Sequence, residues 1–123
     1  MTTNTLQVLT DCSFNSLIEN TELETLQDAV GGLIQAVDLT PSLTMWCNEE
    51  GKLIGLPVNP VATAMWTRYF GETDVIVGNV IFTGGCDEDG NTTSLLEEDA
   101  TNIKKLCSSY VNALEGGFKL VEL

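Results

Sequence analysis

Residues 47–60, CNEEGKLIGLPVNP, constrain the fold more than any other stretch. Three chain-directing signals follow one another there. Asn48-Glu49-Glu50-Gly51 fits a tight turn, with glycine supplying the left-handed conformation that turns require. Gly55-Leu56-Pro57 makes a corner. Asn59-Pro60 is a helix start, because an Asn side chain caps free N–H groups and proline is pre-shaped for the first helical position. Val61, Ala62, Met65, Trp66 and Tyr69 then form a helical apolar stripe, and Gly71 stops it. Residues 75–83, VIVGNVIFT, are apolar on both faces, as a central strand requires. Gly78 within that run marks a bulge or a close backbone approach. These residues direct the chain, and none of them is a reacting group.

The rest of the chain extends the pattern. Residues 5–9 read as a short strand and 10–20 as a loop or a second short strand. Thr21 with Glu24 forms a capping box that predicts a helix over 22–30, ended by Gly31-Gly32. Residues 33–39 and 43–48 read as strands, with Leu43, Met45 and Cys47 facing one way. Residues 52–55 are expected to return as a third strand, closing an antiparallel meander over 33–55. Gly84 to Thr93 is an acidic loop. A second capping box, Ser94 with Glu97, opens a long helix over 95–115 along Leu96, Ala100, Ile103, Cys107, Tyr110 and Leu114. Gly116-Gly117 ends it, and residues 118–123 can add a last strand. The expectation is one α+β domain over 1–123, a mostly antiparallel sheet packed by three helices.

Charge excludes more than it identifies. Eighteen acids face five bases with no histidine, a net charge of -13. Nucleic acid and anionic membrane surfaces repel such a chain, so neither is expected as a direct partner. The same charge also serves plain solubility. No apolar run is long enough to span a bilayer, and the N-terminus shows no signal-peptide pattern. The expected location is therefore the cytoplasm. Cys12, Cys47, Cys86 and Cys107 are scattered, without the paired spacing of a zinc site, and read as small buried hydrophobes. With no histidine, no G-x-S-x-G and no Ser-Lys pair, no catalytic residue is assigned. No cofactor is expected.

The candidate binding residues are Trp46, Glu49, Glu50, Asp87, Glu88 and Asp89. Trp46 points opposite to Met45 and Cys47, so it is either covered by a helix or exposed to a partner. Packing against the 60–70 helix is the expectation. Asp87, Asp89, Asn91 and Glu98 fall at positions 1, 3, 5 and 12 of a calcium-loop pattern. Thr92 stands where that loop needs glycine, and a strand rather than a helix enters. A solvated Asp-Gly turn is the better reading, and no metal site is assigned. Arg68 with Glu72 reads as a surface ion pair.

Three spaced motifs carry a resemblance. Leu26-Gln27 through Val37 gives LQ-x-x-VGG-x-I-x-x-V. Asn48 through Asn59 gives NEEGK-x-x-GLP-x-N. Asp74 through Gly84 gives D-x-I-x-G-x-x-x-x-x-G. Over residues 5–96 the chain resembles a family of small uncharacterised proteins, carried as a domain of unknown function, from bacteriophages, plasmids and their bacterial hosts. The resemblance implies a mobile-element origin, hence a host cytoplasm, and hands over no activity. The expected function is non-catalytic: binding a host protein with a basic surface, as an inhibitor of a nucleic-acid enzyme or defence protein. The long helix has acids only in its first turn, followed by Lys104-Lys105, so a protein contact fits better than full DNA mimicry. The alternative is a module that sequesters a nucleotide or metabolite at a subunit interface. A homo-oligomer through an uncovered sheet face or edge strand fits either reading.

Overall fold

A computed structural model describes residues 2–115. Five strands form one antiparallel sheet: β1 (Thr2–Val8), β2 (Phe14–Asn20), β3 (Ile34–Thr40), β4 (Leu43–Asn48) and β5 (Val80–Thr83). Their spatial order is β2-β1-β5-β4-β3, so β5 is central and β2 and β3 are the edges. Three helices pack on it: α1 (Leu23–Val30), α2 (Pro60–Phe70) and α3 (Glu97–Glu115). The architecture is the expected α+β sheet with three helices.

Side-chain alternation assigns the two sheet faces. Leu6, Phe82 and Met45 lie side by side in register, and with Leu43, Cys47, Val8 and Val80 they form the main core. That core takes in Val61, Ala62 and Met65 from α2 and Ile103 and Cys107 from α3. The opposite face carries Ile81 and Trp46, which pack with Leu26 and Val30 of α1. Thr44 and Thr83 are buried on that face too, and their hydroxyls donate to Asp38 Oδ1 and the Gly84 carbonyl.

Several local expectations are corrected. Residues 52–55 form no strand: from Glu49 to Gly55 the chain makes consecutive turns, so the meander stops at the β3–β4 hairpin. The second neighbour of β4 is β5. The central strand is confined to 80–83, because Gly78 adopts φ +80 and ends the pairing beyond one bridge between Val58 and Val77. Residues 14–20 are a full strand. Neither capping box forms. Glu22 is the N-cap of α1 but its side chain makes no capping hydrogen bond, and Ser94 Oγ instead accepts from the Asn4 N–H, which ties the approach to α3 onto β1. Leu95 is buried and Leu96 exposed, so the core stripe begins one residue earlier than expected.

Trp46 is covered by α1, not by the 60–70 helix. Trp66 lies against Phe70, with ring centroids 4.5 Å apart, while Tyr69 is exposed. Among the described residues Arg68 makes no ion pair with Glu72; its charge acts on Asp99 of α3. Asp99 is raised above 3.8 by burial first and by Glu98 second, with Arg68 pulling the other way. The four cysteines are free thiols; Cys12, Cys47 and Cys107 are buried, as expected, and Cys86 is exposed. The expected helix end at 116–117 and strand at 118–123 lie outside the described residues.

Candidate protein-interaction surface

The motif residues converge on one corner, where the end of β4, the start of α2 and the approach to β5 meet. Asn59 is fully buried and holds three segments together. Its Oδ1 accepts from Ala62 N (3.0 Å), its Nδ2 donates to the carbonyls of Val8 (3.1 Å) and Gly78 (3.0 Å), and its backbone N–H donates to Ile76. Asn48, also buried, does the same for α1. Its Nδ2 donates to the Val30 carbonyl (3.3 Å) and its Oδ1 accepts from Glu50 N (2.9 Å). Leu56 lies over Gly78, where a Cβ would come within 2.7 Å of its Cδ1. Positive φ and close approach therefore both demand glycine there. The spacing of the three motifs is the spacing of these contacts, so the motifs build the corner.

What the corner presents outward is apolar. Leu53 is 85% and Ile54 61% exposed, with Val58 and Val75 about half exposed. Leu53 and Val75 line one shallow cleft of about 130 Å³ together with Glu49, Lys52 and Asp74. The Lys52 ammonium donates to Asp74 Oδ1, which joins the 49–55 turns to the 72–75 segment. That contact, followed by the Val75 N–H, holds the Asp74 carboxyl below its ordinary 3.8. Glu49, Glu50 and Glu72 are exposed around the same patch. The only base in this neighbourhood of the described residues is thus already engaged, and the rim is net acidic. Large exposed apolar side chains grouped within a polar rim are a mark of protein contact surfaces.

The expected binding residues divide among three places. Glu49 and Glu50 belong to this rim. Trp46 lies beneath α1, its Nε1 donating to Thr83 Oγ1 at 2.9 Å, and is a packing residue. Asp87, Glu88 and Asp89 sit at the other end of the sheet, in a hairpin bridged by Cys86 and Thr92. Asp87 Oδ1 accepts from the N–H groups of Asp89 and Asn91, both at 2.9 Å. That carboxylate therefore organises its own turn. Among the described residues, no group of three or more carboxylates, thiols or imidazoles is placed to hold a metal ion. Every buried side-chain N or O there has a hydrogen-bond partner.

Leu53, Ile54, Val58 and Val75 are the residues that sequence reasoning missed. A strand over 52–55 would pair Leu53 and Ile54 into a sheet and a central strand over 75–83 would bury Val75, while Val58 only follows the Gly-Leu-Pro corner. The signal was Gly51 and Gly55 bracketing only three residues, too short a span for a strand that both turns and pairs. No helix among the described residues is long and apolar enough to cross a membrane. No curated protein and no solved structure matches the chain. A family profile does match, over residues 10–108, which include all three motifs. The chain belongs to that family, described as a domain of unknown function (DUF3846).

Proposed function

We propose that the protein works without catalysis, as a small acidic accessory protein of a phage or other mobile element that binds a host protein bearing a basic surface. A nucleic-acid enzyme or a defence protein has such a surface, and occupying it would inhibit the host function. The observation that carries this reading is the apolar patch around Leu53 and Ile54, held on a rigid corner and rimmed by Glu49, Glu50 and Glu72. An apolar centre supplies affinity, and the acidic rim with the net charge of -13 supplies steering and selects a basic partner. Asp87, Glu88 and Asp89 add to the field from the far end of the sheet without touching the patch.

The test is capture from a bacterial host lysate at low and high salt, by the wild type and by a Leu53→Asp/Ile54→Asp variant. Both positions are exposed, so the variant keeps its fold. One basic partner, held by the wild type, weakened by salt and lost by the variant, is the expected result. A partner that the variant retains would remove the patch from the interface. An empty capture, together with thermal stabilisation by a nucleotide or metabolite, would replace this reading with the ligand-sequestering one.

A further inference from the structure

The two edges of the sheet are built differently. β3 carries a register shift between Asp38 and Thr40 against β4, and an irregular edge discourages further pairing. β2 is less protected, with Glu19 near one end as its single charge. It runs seven residues in unbroken register with β1, holds no proline or lysine, and among the described residues pairs on one side only. Leu9 N–H donates to the Ser13 carbonyl, so the odd-numbered residues of β2 face β1. The backbone N–H and C=O groups of Phe14, Ser16 and Ile18 therefore point outward. Their side chains lie on the α3 face, where Ile18 is 75% and Phe14 38% exposed.

We propose that this edge pairs with the β2 edge of a second copy of the same chain, antiparallel and two-fold symmetric, to give a continuous ten-stranded sheet. Centring the two-fold on Ser16 places outward-facing groups opposite one another. Ser16 then meets Ser16 of the second copy, and each Ile18 lies beside the other copy's Phe14. The two exposed apolar side chains of the strand so cover each other as an aromatic–aliphatic cross-strand pair.

Charge selects this occupant. α3 runs antiparallel to β2: Glu97 and Ala100 share a cleft of about 360 Å³ with Ser16 and Ile18, Lys104 stands over the Phe14 ring at 5.7 Å, and Cys107 and Val111 reach Cys12 and Ser13. The two-fold that sets Ile18 beside the other copy's Phe14 thus sets Glu97 of one α3 beside Lys104 of the other, and repeats the pair on the far side of the axis. A chain of charge -13 repels its own copy almost everywhere. At this edge two of its five bases, Lys104 and Lys105, answer the acidic first turn of α3, Glu97 to Asp99. The pairing leaves the Leu53 patch open on each copy, so it is independent of the proposed host contact.

Sedimentation equilibrium of the full chain is expected to give twice the chain mass. Ser16→Pro removes an outward N–H that β1 does not use, so it should give a folded monomer with unchanged circular dichroism and a melting temperature that no longer depends on protein concentration. Because proline can also unsettle a strand, charge exchange supplies a second reading. Lys104→Glu alone should raise the dimer dissociation constant at least tenfold, and adding Glu97→Lys should restore it. A wild type that is monomeric overturns the proposal, and if it dimerises only when residues 116–123 are deleted, those residues hold the edge instead. A dimer indifferent to Ser16→Pro and to both charge variants assigns the contact to another surface.

Discussion

Two acidic, glycine-bearing turns look alike in the sequence and differ in how they are wired. The turns at 48–56 are joined to the interior at both ends: Asn48 reaches α1, Leu56 covers Gly78, and Asn59 stands behind them with three side-chain hydrogen bonds. The hairpin at 86–92 is organised mainly by its own Asp87, with Thr93 and Gly85 bonded across its foot. Composition is similar, yet one turn holds three elements in place and the other ends in solvent. A turn's residues decide that the chain bends. What its side chains meet decides whether the rest of the molecule depends on it.

That difference should be measurable as stability. Asn59→Ala should cause the largest loss, about 3 kcal/mol in urea denaturation, since it strands two buried carbonyls and one helix N–H. A loss below about 1 kcal/mol would mean that water repairs the site and the corner is not the anchor described. Gly78→Ala should come next, at about 2 kcal/mol, from positive φ together with the contact to Leu56. Asp87→Ala should cost less than about 1 kcal/mol and change amide exchange only within its own hairpin. Exchange that spread into β5 would erase the contrast between the two turns.

The smallest effect concerns pH. The Asp74 carboxyl is depressed in the folded protein, so its contribution is present above the ordinary value of 3.8 and is lost as pH falls through the lower folded value. Asp74→Asn should therefore lower stability at neutral pH by that whole contribution, flatten the profile in the acidic window, and match the wild type once pH falls below the folded value. The pair is exposed, so its worth is under about 1 kcal/mol. A large neutral-pH loss would show that Lys52 and Asp74 brace the corner rather than merely rim it.

The sequence made the architecture readable where backbone chemistry is unambiguous. Asn59-Pro60 started α2 as expected, with the Asn side chain on Ala62 N. Gly31 ended α1 in the left-handed conformation. The Ser94 capping box is displaced for a different reason: its hydroxyl meets a competing donor in Asn4, ninety residues away, and no local pattern records that. Trp46 was rightly placed opposite Met45 and Cys47, but which helix would cover it depends on how the strands are ordered, not on alternation. The interaction surface was the least legible part. Glu49 and Glu50 stand out by their charge, whereas Leu53 and Ile54 beside them fit a strand as well as a turn. An exposed leucine looks the same in a sequence as a buried one.

The arrangement of the thiols has a practical consequence. Cys12, Cys47 and Cys107 are enclosed, and burial pushes Cys107 up to about 11. Cys86 alone stands in solvent at the foot of the 86–92 hairpin. A maleimide reagent should therefore modify the native chain once and the unfolded chain four times, and each event adds a fixed mass. Counting adducts over time turns the molecule into its own clock for opening, without a fluorophore or an engineered residue.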